Sequence, residues 1–446
     1  AMMMREPAIA GDLGSRFDDV LVDEYQDTNR LQAAILLALR PDGRGLTVVG
    51  DDAQSIYSFR AATVRNILEF PQSFSPPAEI VTLDRNYRST APILDAANAV
   101  IAEAAERFTK NLWTDRASAM KPQLVTVRDE PTQALYIVED ILATRERGVP
   151  LKQQAVLFRT SSHSGPLEIE LTRRNIPFVK YGGLKFLDAA HVKDMLALLR
   201  WAENPRDRVA GFRVLQLLPG IGPGTAGKVL DAMDEAPRPF PMLAGLPAPA
   251  RAEGWDGFVA AVTGLAGSRD WPATFSRARA WYEPVLEEAH EDAAIRLLDL
   301  LQLEQIASGY PSRERFLTEL TLDPPDATSD QSGVPLKDED YLILSTIHSA
   351  KGQEWRSVHV LNVVDGCIPS DLGTGSTHEL EEERRLLYVA MTRARDALHL
   401  VMPQRFFVTQ QQKHGDRHMY AQRTRFITRA ILPLYDDILW PKQIGR

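Results

Sequence analysis

Short apolar runs that end in acidic residues mark the first part of the chain. Residues 17–24 and 46–51 each form such a run, and residues 29–39 between them have helical spacing. Strand, helix and strand in this order predict a parallel sheet. Because the carboxyl ends of parallel strands meet at one edge, Asp23 and Asp51 are expected on the same edge of that sheet.

Strand and helix patterns keep alternating to about residue 181 and return near residue 341. Between them, residues 191–325 have helical spacing, which predicts a largely helical insertion in an α/β protein. Segments rich in proline and small residues predict loops at 236–252 and 322–340. Further strands are predicted at 155–158, 177–181, 341–344, 358–361 and 397–401, and further helices at 91–101, around Val138 and at 381–395.

The composition is that of an ordinary globular protein, with 44% hydrophobic and 25% charged residues. No apolar run reaches the length of about 18 residues that a membrane-spanning helix needs, and no secretory signal pattern is present. The single cysteine, Cys367, excludes a disulfide framework and favours a reducing, cytoplasmic location. A net charge of −9 argues against a nucleic-acid coat protein but not against a local basic groove.

The first chemical candidate is the pair Asp23 and Glu24, which ends an apolar strand. One carboxylate there can hold Mg²⁺ while the next takes a proton from an attacking water. A polar turn after a buried strand would use the same residue types, and for the isolated pair both interpretations are equally open.

Residues 50–60 combine an amide, two aromatic rings and an arginine directly after the second strand. Gln54 can report a terminal phosphate, while Tyr57 or Phe59 can stack on an unpaired base, a contact worth about 1–3 kcal/mol per base. The alternative is an aspartate-rich turn with aromatic core residues.

Residues 83–90 place an arginine directly before a predicted helix. Ser89 or Thr90 can cap that helix, but capping does not explain why Arg88 precedes the cap. An arginine at this position can reach a phosphate across a domain boundary and neutralise charge that develops in phosphoryl transfer.

Two later segments carry basic residues next to strands. Thr346, His348 and Lys351 lie within six residues and can grip a nucleic-acid backbone, although such a loop can also simply be solvated. Glu354 can accept hydrogen bonds from a ribose hydroxyl. Arg393 can face the nucleotide, or it can complement the dipole at the end of an amphipathic helix.

Together and in this order, the five segments resemble the ATPase motifs of superfamily 1 DNA helicases of the UvrD/Rep type. The matching sequences are Asp-Glu-Tyr-Gln-Asp, Gly-Asp-x-x-Gln-Ser-Ile-Tyr, Asn-Tyr-Arg-Ser, Ala-Lys-Gly-x-Glu and Val-Ala-x-Thr-Arg-Ala. The resemblance implies two RecA-like α/β motor domains with a mainly helical insertion domain. It assigns 1–83 to a partial first motor domain, 84–190 and 331–446 to the second, and 191–330 to the insertion.

The resemblance also implies roles for single residues. Asp23 and Glu24 would hold Mg²⁺, with Glu24 activating water, and Gln54 would couple the γ-phosphate to the DNA groove. Arg88 and Arg393 would contact the γ-phosphate. The remaining nucleotide contacts would come from Tyr87, which stacks on adenine, and from Arg60, Gly352 and Glu354; the DNA contacts would come from Tyr57, Phe59, Thr346, His348 and Lys351. Ala61 departs from the family, which usually has glycine at that position.

Residues 222–229 nearly match the phosphate-loop pattern Gly-x-x-x-x-Gly-Lys-Ser/Thr. No strand leads into them, Pro223 removes a needed amide and Val229 has no hydroxyl for Mg²⁺, so the pattern is rejected. The segment resembles instead the Gly-Ile-Gly turn of a helix-hairpin-helix, whose backbone N–H groups face a duplex phosphate. The predicted contacts are Gly220, Gly222 and Thr225, and a plain turn between helices is the alternative.

The resemblance therefore implies an ATP- and Mg²⁺-dependent DNA helicase that moves 3′→5′ on single strands and at junctions with duplex. In the family a phosphate loop lies well upstream of Asp23. The chain is therefore expected to be a fragment that hydrolyses no ATP by itself. It is also expected to be a monomer. A helicase-like, non-catalytic DNA-binding or regulatory module remains the alternative. A fusion with a nuclease is less favoured, because no carboxylate cluster follows Arg395.

Overall fold

The computed structural model describes residues 6–108, 110–181, 186–237, 239–250, 252–290, 293–321, 340–370, 375–407 and 418–441. The chain divides into two compact units. Unit 1 comprises Ala1–Arg159, Leu342–Phe406 and Tyr420–Arg446, and unit 2 comprises Thr160–Tyr341 and Phe407–Met419. The four-part domain assignment made from the resemblance stays a prediction.

Strands and helices are interspersed at both ends of the chain, and the described residues between β5 and β6 form helices and their connections. The first elements are α1 (Pro7–Gly14), β1 (Val20–Val22), α2 (Arg30–Leu39), β2 (Leu46–Val48), α3 (Arg65–Glu69), α4 (Ala91–Ala102), β3 (Gln123–Asp129), α5 (Glu130–Glu146), β4 (Gln154–Phe158), α6 (Gly165–Arg173) and β5 (Phe178–Tyr181). The helical stretch comprises α7 (Ala190–Glu203), α8 (Arg208–Leu215), α9 (Pro223–Asp234), α10 (Pro239–Gly245), α11 (Trp255–Gly267), α12 (Ala273–Ala289), α13 (Ala293–Ser308) and α14 (Arg313–Thr321). The last elements are β6 (Leu342–Thr346), β7 (Trp355–Val360), α15 (Thr377–Met391), β8 (Ala394–Phe407), β9 (His418–Tyr420) and β10 (Asp436–Leu439).

The first sheet of unit 1 has the predicted strand–helix–strand form. β1 and β2 pair in parallel, with Val20 opposite Leu46. Asn29 caps the intervening helix α2, because its side chain accepts from the Gln32 amide at 2.9 Å while the Gln32 side chain accepts from the Asn29 amide. The chain segments that carry Asp23 and Asp51 therefore leave the sheet at one edge, as expected.

The second sheet of unit 1 is parallel throughout the pairs β10–β3, β3–β8, β8–β7, β7–β4 and β4–β6. β4 is buried at every position. A continuous apolar run fits this position, because helices cover parallel sheets on both faces. Helix α15 packs against α4. The predicted α/β fold class is confirmed.

Unit 2 is built mainly from helices, as the spacing after residue 191 predicts. Its core includes the fully buried side chains of Trp201, Phe258, Phe275 and Phe316. Among the described residues, no helix combines the length and apolar character needed to cross a lipid bilayer.

Two element predictions are wrong in part. Helix α10 lies inside the predicted loop 236–252, because a proline is tolerated at a helix start and Phe240 can bury against the core of unit 2. Helix α15 begins before residue 381, where Ser376 accepts from the Glu379 amide at 3.2 Å, and it ends at Met391. The predicted loop 322–340 lies outside the described residues except for its last position.

The core of unit 2 predicts opposite effects for two glycine-to-alanine changes in helices. A Cβ at Gly211 would lie 2.6 Å from the indole Nε1 of buried Trp201 and 2.8 Å from Leu230, whereas a Cβ at Gly264 meets no atom within 4 Å. We expect Gly211→Ala to lower the free energy of unfolding by about 1–3 kcal/mol. Gly264→Ala is expected to raise it by up to about 1 kcal/mol, because alanine is the better helix former. Denaturant unfolding of unit 2, followed by tryptophan fluorescence, checks both; equal shifts would contradict the described packing.

Candidate nucleotide and nucleic-acid site

Asp23 and Glu24 follow β1 directly and are both exposed. Glu24 has φ 51°, a left-handed backbone that is uncommon outside glycine. Its amide donates to Asp23 Oδ1 at 2.8 Å, and its carboxylate accepts from the Gln26 side chain. Neighbouring groups therefore hold both carboxylates at the carboxyl edge of the sheet.

The buried amide of Gln26 connects the ends of the two strands. Its Oε1 accepts from the Asp51 amide at 3.0 Å, while its Nε2 donates to Glu24. A Cβ at Gly50 would overlap Gln26 Oε1, so the chain needs glycine there. No role was predicted for Gln26 from the sequence. The signal that could have indicated one is the amide side chain at the fourth position of the Asp-Glu-x-Gln motif.

Lys351 brings the loop after β6 to the end of β1. Its ammonium lies 2.6 Å from Asp27 Oδ2 and 3.4 Å from Glu24 Oε2, and it donates to the Gln54 carbonyl at 2.9 Å. Only 7% of the side chain is exposed. In this structure Lys351 faces carboxylates, and its predicted DNA contact stays a prediction.

Gln54 lies between the first sheet and the second. Its Nε2 donates to Asp51 Oδ2 at 2.9 Å, and its Oε1 accepts from Arg393 at 3.4 Å. Lys110, for which no role was predicted, pairs with Asp51 and lies 3.3 Å from Asp52 Oδ1. Gln54 therefore joins Asp51 near the first sheet to Arg393 near the second, and its predicted coupling role stays a prediction.

Arg393 follows α15 and is buried, with 1% of its surface exposed. Its guanidinium donates to the carbonyls of Val389 at 3.1 Å and Gln353 at 3.2 Å. Burial, and then the charge of Arg88, lower the pKa of Arg393 to about 10, while the charges of Asp51 and Glu24 oppose this shift. Arg393 thus stays protonated at neutral pH, and its charge interacts with Asp51 and Glu24 as well as with Arg88. Because Val389 lies in the last turn of α15, Arg393 also complements the end of that helix, and both interpretations of Arg393 stay open.

A network around Asn86 positions Arg88. The Asn86 side chain accepts from the amides of Arg88 and Ser89, each at 2.8 Å, and the Ser89 hydroxyl donates to the Ala394 carbonyl at 2.6 Å. Thr90 occupies the cap position of α4, but its side chain makes no capping hydrogen bond. The predicted side-chain cap is therefore wrong, and Ser89 holds the loop to β8 instead.

Glu354 pairs with two arginines in this structure. Arg88 donates to its Oε2, and Arg395 Nη1 lies 3.3 Å from its Oε1. The hydrogen bond from Arg88 keeps the pKa of Glu354 below its usual value. The predicted ribose contact of Glu354 and the predicted phosphate contact of Arg88 stay predictions. Each contact would require the Arg88–Glu354 pair to separate.

Three further predicted nucleotide contacts differ in their surroundings. The Tyr87 ring is 74% exposed, with the Arg85 guanidinium 5.0 Å from its centroid, so one aromatic surface is available for stacking. Gly352 has φ +84°, which favours glycine. The side chain of Arg60 lies outside the described part. Ala61 next to it has φ 61°, the conformation in which glycine is easiest to accommodate.

Three of the predicted DNA-binding side chains form one aromatic cluster. Phe59 lies 5.7 Å from Tyr57 and 5.4 Å from His348 between ring centroids, and the Tyr57 hydroxyl donates to the His348 carbonyl at 3.0 Å. Phe59 is 65% exposed. Thr346 bonds locally, since its hydroxyl lies 3.0 Å from that of Ser349.

This aromatic cluster lines a groove of about 680 Å³ that also carries acidic groups. Glu382 accepts from the Ser58 amide at 3.0 Å, and Glu383 pairs with Arg159 at 2.8 Å. These glutamates were not singled out in the sequence, because their contacts lie far along the chain. The other lining residues are Ser349, Lys351 and Glu379.

The Gly-Ile-Gly segment joins α8 to α9 in unit 2. Gly220 has φ +82°, and Gly222 precedes α9 as its cap residue in an open position. Thr225 lies in the first turn of α9, which fits the predicted turn between helices. Gly227 and Lys228 of the rejected pattern lie within α9, and the segment follows helix α8 rather than a strand. A phosphate loop would instead connect a strand to a helix.

Curated relatives of the chain are helicases. It is 33% identical to the ATP-dependent DNA helicase PcrA of Staphylococcus epidermidis over 410 residues, which cover 86% of the chain and 55% of that protein. It is 32% identical to DNA helicase II of Escherichia coli over an alignment that covers 96% of the chain and 60% of that protein. The chain thus spans a little over half the length of these relatives.

Two protein families match separate parts of the chain. Residues 1–75 match the UvrD/REP helicase N-terminal domain, and residues 81–236 and 294–405 match the UvrD-like helicase C-terminal domain. The second match covers more than half of the 446 residues, and its segments contain the arginine and lysine motifs described above. The chain therefore belongs to the UvrD-like helicase family.

Proposed function

We propose that the gene product is an ATP- and Mg²⁺-dependent DNA helicase that moves 3′→5′ along single strands. The observation that carries this proposal is the network in unit 1 in which Lys351 contacts Glu24 and the Gln54 carbonyl, and Gln54 accepts from Arg393, with Asp23 beside Glu24 at the end of β1. Carboxylates on one wall and arginines on the other are what phosphoryl transfer requires. The direction of movement rests on the resemblance alone.

The residues fit one end of a Mg²⁺–ATP complex. Asp23 and Glu24 offer exposed carboxylate oxygens, which are the ligands Mg²⁺ prefers. Bound Mg²⁺ would supply charge neutralisation at the phosphate oxygens. Glu24, oriented by Gln26, would accept the proton of the attacking water, and Tyr87 would stack on adenine. The 446 residues contain no complete phosphate loop, so they do not account for binding of the remaining phosphates.

We further propose that Gln54 and Lys351 couple the cleft to DNA. Lys351 contacts the carboxylates at the end of β1, and its ammonium lies 5.2 Å from the centroid of the Tyr57 ring in the aromatic groove. A displacement of the Lys351 ammonium would therefore change its contacts both with these carboxylates and with the Tyr57 ring. Single-stranded DNA and its junctions with duplex are the proposed partners, with Phe59 stacking on a base and the Gly220–Gly222 turn contacting duplex phosphates.

We propose the domain assignment that the resemblance implies. Residues 1–83 belong to the first motor domain, residues 84–190 and 331–446 form the second, and residues 191–330 form the insertion. A cytoplasmic location and a monomeric state of the chain also stay proposals. A non-catalytic DNA-binding module is the second candidate, and the sequence upstream of residue 1 would distinguish the two, since a helicase requires a phosphate loop there. Such a module would bind DNA with the same affinity whether or not nucleotide is present.

The purified 446-residue chain is expected to show no DNA-stimulated ATP hydrolysis, because a complete phosphate loop is needed to hold the β- and γ-phosphates. A phosphate-release assay with and without single-stranded DNA checks this. Turnover that survives repurification and disappears in Glu24→Gln would contradict the expectation.

In the complete gene product, Glu24→Gln is expected to lower the rate of ATP hydrolysis at least about 100-fold, because it removes the proposed general base. Nucleotide binding, measured with a fluorescent ATP analogue, should be retained. Glu79→Gln, at an exposed glutamate outside the cleft, is the matched control and should keep full turnover. Retained hydrolysis in Glu24→Gln would refute the role of Glu24.

Phe59→Ala is expected to weaken binding of single-stranded DNA to the chain by about 1–3 kcal/mol, since one stacking surface is lost. Fluorescence anisotropy with a labelled oligothymidine measures this. Phe17→Ala removes another exposed phenylalanine of unit 1, 58% accessible, and should leave affinity unchanged. Equal affinities of both variants would argue against the aromatic groove as the DNA site.

A further inference from the structure

A buried cluster of two histidines and one aspartate lies in unit 1, among residues that the proposed helicase function does not use. His359 on β7 and His399 on β8 are direct neighbours in the parallel register, and their rings stack with centroids 4.4 Å apart. Asp140 on α5 contacts both from the adjoining helix. The histidine side chains are 0% and 5% exposed, while 19% of the Asp140 side chain reaches solvent.

The ligand atoms of the cluster lie close together. Asp140 Oδ2 lies 2.9 Å from His359 Nε2 and 3.6 Å from His399 Nε2, and one atom from each residue lies within 4.8 Å of the others. A tetrahedral zinc ion with bonds of about 2.0–2.1 Å holds its ligand atoms about 3.3–3.4 Å apart. The two Asp140 distances lie on either side of that value, and a rotation of the stacked rings would direct both Nε2 lone pairs at one ion.

The donor types also fit a metal site. Two imidazole nitrogens and one carboxylate oxygen are ligands that divalent metals of the zinc class bind. The charge of Arg147 opposes a cation and limits the affinity.

Metal binding through Nε2 requires that each neutral imidazole carries its proton on Nδ1. The surroundings of Nδ1 allow this tautomer in both rings. His399 Nδ1 lies 2.7 Å from the Tyr136 hydroxyl, which can accept a proton as readily as donate one. His359 Nδ1 is buried and, within the described residues, makes no hydrogen bond that a tautomer change would break. Both rings can therefore carry their proton on Nδ1 and direct the Nε2 lone pair towards Asp140.

We propose that Asp140, His359 and His399 bind one divalent ion of the zinc class and thereby tie α5 to β7 and β8. Two nitrogens and one oxygen select Zn²⁺, Co²⁺ or Ni²⁺ over Mg²⁺ and Ca²⁺, which prefer oxygen ligands. The partly exposed side chain of Asp140 gives the ion an entry path, and a water would supply the fourth ligand. The site is separate from the proposed Mg²⁺ ligands Asp23 and Glu24. No sequence spacing indicated it, because the pairing of β7 with β8 and the packing of α5 beside them bring the three residues together.

The test uses the 446-residue chain, stripped with a chelator and dialysed against Zn²⁺ in the presence of excess Mg²⁺. One equivalent of zinc per chain is expected, together with a midpoint of thermal unfolding that rises with Zn²⁺ concentration. Co²⁺ should give the intense visible absorption of a four-coordinate site. Less than one equivalent, or a Co²⁺ spectrum like that of the free aqueous ion, would overturn the proposal in favour of a metal-free hydrogen-bond network.

Variants assign the bound ion to the cluster. Asp140→Asn and His359→Gln should each lose the stoichiometric zinc and the Co²⁺ absorption. His191→Gln is the matched control, because His191 forms a similar buried pair with Asp299 at 2.9 Å without a second histidine, and it should bind one equivalent. Tyr136→Phe, which removes only the orienting hydroxyl, should keep the stoichiometry but weaken zinc binding about 10-fold.

Circular dichroism of each metal-free variant verifies folding, and His399→Gln replaces any variant that does not fold. Zinc binding that survives in the folded ligand variants would overturn the assignment.

Discussion

The ammonium of Lys351 is the contact on which the described cleft depends. It lies between Asp27, Glu24 and the carbonyl of Gln54, and it is almost fully shielded from water. Removing the lysine would leave the mostly shielded Asp27 and the half-exposed Glu24 close together without a counter-charge. Charge pairing by Lys351 therefore contributes to holding the loop after β6 against the end of β1.

This contact connects two regions that a motor must coordinate. Gln54 bonds to Asp51 on one side and to Arg393 on the other, while Lys351 lies beside the Tyr57 ring of the aromatic groove. Arg88 is held by Glu354. In the proposed function, a phosphate bound between these groups would compete for Arg88 and Arg393, and this competition would link nucleotide binding to the hydrogen bonds of Gln54.

Much of the fold could be predicted from the sequence, because apolar runs and helical spacing are local signals. The parallel pairing of β1 and β2 and the helical character of unit 2 follow from such signals. The end of α15 could not be placed, since it depends on β8 beginning at Ala394, which the spacing alone does not show. The motif positions were visible, but their partners were not. Lys110, Gln26 and the cluster of Asp140, His359 and His399 become meaningful only when distant segments are brought together.

The most direct test of the central claim is a crystal structure of the complete gene product with Mg²⁺, a non-hydrolysable ATP analogue and single-stranded DNA. The account predicts that the guanidinium groups of Arg88 and Arg393 lie within about 3 Å of γ-phosphate oxygens. It also predicts Asp23 and Glu24 on the Mg²⁺ side of the same phosphate. A structure in which Arg88 keeps its bond to Glu354 and the triphosphate lies away from Asp23 and Glu24 would contradict it.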